Sequence, residues 1–432
     1  MNYEQALEYI HSTYRFGSKL GLENIYCLLD LMDNPHEQMK VIHVAGTNGK
    51  GSTSSFISSV LMEQGYSVGL YTSPFLEEFT ERIKINKKNI PKDELGEITG
   101  FVKNKVDEML AVGKNHPTEF EIVTAIGFEY FKRKKVDFLV LEVGLGGRGD
   151  STNVVDLPLV SVITPIDYDH MNYLGDTLAK IAYEKAGIIK KNSWVVSYPQ
   201  QDEAMEVIKE VCHRQNSKLI TVPMENIRIV KQDVNRQYFD VQLEDTVLRN
   251  LSISMLGDHQ IQNAIMALTA LRVLKNEHGI ILTEKAVYQG FEKAKWPGRL
   301  EVMGHNPTVL IDGAHNVHGL KALAKVLDKF FYEKEIILVI GILADKDVQA
   351  MLEVIIPKAN KVVVTEPYSP RAMTAEKLSK MVEQYNRPMT VEKHISMAVD
   401  KALNLAKEDE VVIFCGSLYM IGQVRTILKN KQ

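Results

Sequence analysis

Lys50 lies in Gly46-Thr47-Asn48-Gly49-Lys50-Gly51-Ser52, between a β-forming run (Val41–Val44) and a stretch with Phe56, Ile57, Val60 and Leu61 at helical spacing. In that context glycines let backbone N–H groups converge on phosphate oxygens, and a helix N-terminus adds partial positive charge. Lys50 can reach the outer phosphates, and Ser52 can face a phosphate or its magnesium ion. Gly51 separates the lysine from the hydroxyl, a departure from the usual spacing. A bare glycine loop is an ordinary tight turn. A lysine, a hydroxyl and both flanking elements together point to phosphate binding.

Further candidates stand where elements end. Ser67–Tyr71 reads as a strand running into Thr72-Ser73-Pro74, and open α/β sheets place ligands at such ends. Ser73 is a metal or phosphate ligand, or only a turn hydroxyl before proline. The run Val136–Leu141 ends in Glu142, a hard carboxylate suited to magnesium, and a glycine-rich loop follows through Asn153. Strand Leu159–Thr164 leads to Asp167-Tyr168-Asp169-His170, then to a helix over 177–190. Lys185 falls on that helix's apolar stripe, with Leu178, Ile181, Ala182, Ala186 and Ile189. It either snorkels to water or is desolvated into a neutral, nucleophilic amine. Asn263, on a helix opened by Gly257-Asp258-His259-Gln260, either meets a base edge or satisfies a buried polar group. Asp312-Gly313-Ala314-His315-Asn316 closes the first strand of a second α/β pattern.

The elements holding these residues need two cores, because 432 residues exceed one typical domain. Helices are expected over 3–14, 92–112 and 119–133. Residues 191–256 alternate short strand-like runs with polar turns, an antiparallel elaboration of the first domain. Lys295-Trp296-Pro297-Gly298-Arg299 marks the boundary. Beyond it strands are expected at 307–312, 335–341, 361–365 and 410–415. A net charge of −4 gives no reason to invoke nucleic acid. The most apolar run, Ile336–Ala344, is too short to span a bilayer. Three dispersed cysteines and an N-terminus interrupted by Glu4, Glu8 and Arg15 suggest a reducing, cytoplasmic setting and no structural zinc.

Taken in order, several stretches resemble one family, folylpolyglutamate synthase/dihydrofolate synthase, relatives of the bacterial cell-wall Mur ligases. They are GTNGKGS (46–52), YTSP (71–74), LEVGLGGRGDSTN (141–153), ITPIDYDH with LGDTLAKIAYEKAGIIK (163–190), LGDHQIQNA (256–264), WPGRLE (296–301), DGAHN (312–316), ADKD (344–347) and GSLYMIGQVR (416–425). Each is weak alone, and the ordered set is specific. Only about forty residues precede the first strand, too few for the extra Mur domain that binds a nucleotide-sugar carrier. The expected fold is α/β. An N-terminal P-loop ATPase domain (1–296) has a mostly parallel sheet plus a small antiparallel elaboration, and a Rossmann-like α/β domain follows (297–432).

The resemblance implies a ligase. ATP phosphorylates a folate or dihydropteroate carboxylate, and the amine of L-glutamate attacks the acyl phosphate to form an amide. It places ATP on Gly46–Ser52, with Asn263 reading adenine, Arg299 meeting phosphate and Asp312 holding the ribose region. It makes Ser73, Glu142 and His170 ligands of Mg2+, with two ions served by Glu142 and His170 a soft partner that can act through water. It matches Lys185 to a carbamylated lysine and puts His315 near the inter-domain cleft as an aid to transfer. Thr118, Phe120 and the turn Gly149-Asp150-Ser151 become pterin or pteroate contacts. For Arg299 and Asp312 the plain alternative is an inter-domain ion pair. Two positions depart from the family: Phe75 replaces a common histidine and Val317 a common proline. Expected partners are small molecules, without nucleic acid or membrane, for a monomer. A Mur-like ligase for another acid, or an ATP-gated binding protein that makes no product, would use part of the same residues.

Overall fold

The computed structural model describes residues 1–17, 21–243 and 246–431. Residues 18–20, in the glycine-containing segment between the first two helices, lie outside this description. The chain divides into two compact units. The first is Met1–Arg228, Phe239–Ser252 and Gln262–Ala294; the second is Ile229–Tyr238, Ile253–Ile261 and Lys295–Gln432. The last crossing thus falls at the Lys295–Arg299 punctuation, while the second unit also takes two short segments from mid-chain.

The first unit is built on β1 (Val41–Ala45), β2 (Val68–Tyr71), β3 (Ile83–Ile85), β4 (Lys88–Asn89), β5 (Phe138–Glu142), β6 (Val160–Ile163), β7 (Trp194–Ser197) and β8 (Lys218–Thr221). They join in the order β4-β3-β2-β5-β1-β6-β7-β8. Every pairing from β2 to β8 is parallel, and only β3 and β4 run antiparallel at one edge. Strands β1, β5 and β6 are buried along their whole length, as parallel strands covered on both faces must be. That burial explains their near-continuous apolar sequences.

The expectation for 191–256 needs correction. β7 and β8 continue the parallel sheet, because the helix Asp202–Arg214 joins them as a crossover. Its buried face is Ala204, Met205, Ile208, Val211 and Cys212. Only 227–253 makes a sheet of its own, from β9 (Ile227–Gln232), β10 (Gln237–Leu243) and β11 (Thr246–Ile253), in the order β11-β10-β9.

The second unit holds β12 (Glu301–His305), β13 (Thr308–Ile311), β14 (Ile336–Ile340), β15 (Lys361–Val364), β16 (Met389–Val391) and β17 (Val411–Cys415), ordered β12-β13-β17-β14-β15-β16. All pair in parallel except β12 with β13. The four expected strands are its centre, and the two edge strands β12 and β16 are additional. Its core gathers Leu310, Leu338, Ile340, Val362 and Ile413 with Leu323, Leu327 and Leu352 from the flanking helices. Among the described residues, no helix is long and apolar enough to cross a membrane.

Candidate active site

Strand order brings distant residues to one edge of the first sheet. β2, β5, β1 and β6 are consecutive and parallel, so their carboxyl ends stand side by side about 4.8 Å apart. Tyr71 is level with Leu141, Val44 with Glu142, and Ala45 with Ile163. Ser73, Glu142, the 46–52 loop and the 164–170 segment therefore share one rim.

β1 runs through Gly46–Gly49 into the helix Lys50–Glu63. Gly46 (φ 150°) and Gly49 (φ 88°) both need glycine: a Cβ would strike the Thr164 side chain at the first and Asn263 Oδ1 at the second. Thr47 N–H and Asn48 N–H donate to Pro165 O at 2.9 and 3.3 Å, and Thr47 Oγ1 donates to Asp167 O at 3.0 Å. These bonds tie the loop to the end of β6. The N–H groups left open are consequently those at the helix start, which lack intrahelical acceptors. Lys50 Nζ crosses the loop, donating to Gly46 O at 3.1 Å and Thr47 O at 3.3 Å. Gly46→Ala should cost about 2 kcal/mol or more from the forced contact and strained φ. Thermal denaturation and nucleotide titration of that variant check this; unchanged melting and binding would refute the close approach.

Glu142 is buried and ends β5, while Ser73 is half-buried after β2. His170 is exposed, at φ 51°, with Nε2 3.9 Å from Asp169 Oδ1. Among the described residues, no three His, Cys, Asp or Glu side chains converge to hold a metal by themselves. One buried carboxylate and one hydroxyl follow neighbouring strands, a donor set made of oxygens. That suits magnesium, which keeps waters and completes its coordination with substrate phosphates. Phe75, the departure from the family pattern, packs its ring 5.8 Å from Phe79.

The helix expected over 177–190 ends at Lys185 and tightens into a 3₁₀ turn, Ala186–Ile188. The glycine-rich loop terminates it: Arg148 N–H donates to Glu184 O at 2.7 Å, and Gly147 and Gly187 let the two backbones touch. Lys185 is thereby fixed beneath the loop, 4% exposed, with Nζ donating to Gly46 O at 2.9 Å. Burial first, then the charge of Lys50, pulls its pKa down to about 7, against the pull of Asp169 and Asp150. This burial is that of the desolvated reading of the lysine and not of the snorkelling one.

The candidate acceptor contacts lie in the glycine-rich loop and at the start of the helix Glu119–Lys134. Asp150 accepts from Leu145 N–H (2.7 Å), Thr152 N–H (3.0 Å) and Thr152 Oγ1 (2.5 Å), so it organises the loop internally. Ser151 is buried in the following 3₁₀ turn, and Gly149 O accepts from Gly21 N–H at 3.3 Å. Thr118 caps the helix Glu119–Lys134 in a reciprocal bond with Glu121, and the Phe120 ring fills the space a Cβ of Gly144 would take. Two buried residues went unnoticed in the sequence. His43 Nε2 lies 2.9 Å from Thr152 Oγ1, and burial lowers its pKa to about 3, so it is neutral; Thr152 gives its proton to Asp150, so His43 is the donor. Glu121 accepts from Thr118 and faces Asn24. The T-x-x-E spacing signalled Glu121; nothing local signalled His43.

Asn263 is buried on the helix Asp258–His278 and brought against Gly49. Arg299, Asp312 and His315 all belong to the second unit, so a pair between Arg299 and Asp312 would lie within that unit. Asp312 accepts from Leu300 N–H at 2.8 Å and Ala314 N–H at 2.9 Å. Burial raises its pKa, with Arg299 opposing. His315 Nδ1 lies 2.8 Å from Gly313 O, which fixes the ring.

The Mur ligase middle domain model matches residues 44–271, and the Mur ligase glutamate ligase domain model matches residues 298–418. The dihydrofolate synthase/folylpolyglutamate synthase of Bacillus subtilis is 37% identical over 435 residues, 99% of each chain. A structure of Mycobacterium tuberculosis folylpolyglutamate synthase complexed with ADP and AMPPCP superposes with a TM-score of 0.90, at 31% identity over 99% of both chains. The E. coli FolC structure in complex with DHPP and ADP gives 0.89, at 28% identity, over 100% of this chain and 98% of that one.

Proposed function

The chain belongs to the Mur ligase family, among its folylpolyglutamate/dihydrofolate synthases, and from that premise we propose how it joins L-glutamate to a folate or dihydropteroate carboxylate. It is an ATP-dependent ligase. A carboxylate oxygen of the acceptor attacks the γ-phosphorus of ATP, and ADP leaves. The glutamate amine then attacks the acyl carbon, phosphate departs, and the nitrogen loses a proton. The observation that supports this reading is the rim of four strand ends shared by the loop, Glu142 and Ser73, with the buried Lys185 amine bonded to the loop at Gly46 O.

Gly46–Ser52 hold the triphosphate, and Lys50 neutralises its outer charge. Asn263 reads adenine; Arg299 and Asp312 serve phosphate and ribose; His315 assists transfer to glutamate. Ser73, Glu142 and His170 would hold Mg2+, which would supply charge neutralisation at the phosphates. Thr118, Phe120 and Gly149–Ser151 flank the pterin or pteroate. Lys185 is carbamylated: its neutral amine attacks carbon dioxide, a C–N bond forms, one C=O electron pair moves to oxygen and the nitrogen loses a proton. The resulting anion matches the surrounding Lys50 charge better than a second ammonium does. We place the protein in the cytoplasm as a monomer acting on small molecules; its unpaired Cys27, Cys212 and Cys415 support a reducing compartment.

The deciding experiment measures phosphate release with dihydropteroate and tetrahydrofolate side by side, each with and without glutamate. Release that needs both acceptor and glutamate is expected. Silence with every pteridine acid would leave a ligase for another acid or an ATP-gated binder.

A further inference from the structure

Arg82 has no part in the reading above, yet it is the most deeply placed arginine beside the site. It is the last residue of the 3₁₀ turn Phe79–Arg82, directly before β3, and its carbonyl accepts from Thr72 N–H at 3.0 Å. That bond sets it across from the residue before Ser73. Its side chain is 8% exposed, and its Nε, buried, finds no hydrogen-bond partner among the described residues. The guanidinium carbon lies 5.5 Å from the ring centres of both Phe79 and Phe120, and the group is within bonding reach of the Tyr71 hydroxyl. Its carboxylate neighbour is Glu119, with Nη1 to Oε1 at 3.5 Å.

That pairing is poor for such a depth. A buried guanidinium is stable when its fork meets a carboxylate at about 2.7–2.9 Å, because only close bonds offset desolvation. At 3.5 Å, with Nε idle, Arg82 is left short of acceptors. Glu119 shows the same mismatch: burial raises its pKa despite Arg82, His11 and Tyr14 around it. A buried polar atom without a partner calls for an explanation, and here it lies beside Phe120, whose ring lies against Gly144 at the end of β5.

We infer that Arg82 is a carboxylate anchor for the acceptor, its planar fork taking the acid group while Phe79 and Phe120 flank the adjoining aryl ring. Glu119 is the internal stand-in that the ligand's carboxylate outcompetes. The inference rests on the functional reading above and adds the residue that distinguishes an acid acceptor from a neutral analogue.

The test compares binding of pteroate and its carboxamide to the full-length protein by titration calorimetry, with a non-hydrolysable ATP analogue present. The wild type should favour the acid about thirty-fold, the range of a charge-assisted bond to a buried partner. Arg82→Gln should reduce that preference to about three-fold or less, with nucleotide affinity unchanged. Glu119→Gln, which keeps Arg82 in place, should tighten the acid several-fold and leave the carboxamide alone. Full acid preference in Arg82→Gln overturns the inference, as does a Glu119→Gln variant with unaltered acid affinity. Loss of nucleotide affinity with acid preference intact overturns it too, by assigning the guanidinium to a nucleotide phosphate. If neither compound binds the wild type, the functional reading fails and this inference with it; binding without an effect of Arg82 defeats the inference alone.

Discussion

Lys50→Ala is expected to leave a folded protein whose turnover is lower by about a thousand-fold or more, the scale seen when a charge on a transferring phosphoryl group is removed. The side chain is partly exposed and, among the described residues, bonds to the Gly46 and Thr47 carbonyls, so truncation opens no core cavity. Its ammonium lies over the loop where phosphate charge would gather. Circular dichroism and thermal melting should match the wild type while ADP formation collapses. Near-normal turnover in that variant would remove Lys50 from the mechanism.

Lys185→Ala carries the second large effect: loss of most activity, recovered in part by adding a short-chain carboxylate such as acetate. An added acid can take the place of the carbamate only if the wild-type side chain is an anion there. Failure of rescue across a series of small acids, or an unmodified side chain in a well-resolved crystal structure, would contradict the carbamate. The pH dependence has a definite sign. An amine with pKa lowered to about 7 is mostly protonated below that value and mostly neutral above it. Carbamate formation, and with it activity, should therefore rise through pH 7. For the unmodified lysine, the unfolded chain holds a proton between pH 7 and the ordinary lysine value that the folded chain has lost. Stability should accordingly rise with pH across that window and be flat below it. The two lysines are also linked. The Lys50 charge is one cause of the low Lys185 pKa, so Lys50→Ala should shift any Lys185-dependent pH profile upward. Effects of the two substitutions should not add.

The phosphate loop was legible because its chemistry is contiguous: glycine, lysine and hydroxyl lie within seven residues, flanked by opposite periodicities. Glu142 was legible for a similar reason, as an acid closing an apolar run. Lys185 gave two readings because a helical stripe tells which face is buried and not how deep the amine lies; contact with Gly46, 139 residues earlier, decides it. His43 and Arg82 were invisible, since each has meaning only through partners far along the chain, Thr152 and Glu119. The helix Asp202–Arg214 was missed behind its polar flanks, which made β7 and β8 look like hairpin strands. Edge strands β12 and β16 were missed because a half-covered edge needs no continuous apolar run.

The interleaved order of β2, β5, β1 and β6 has a consequence for biosynthesis. A nascent chain that has delivered β1 and β2 possesses the loop but not the acid, since β5 must later insert between them. Lys185 is added later still, some 135 residues behind Lys50. A polypeptide that ends before the Lys185 helix therefore lacks part of the constellation, however well its first strands have paired.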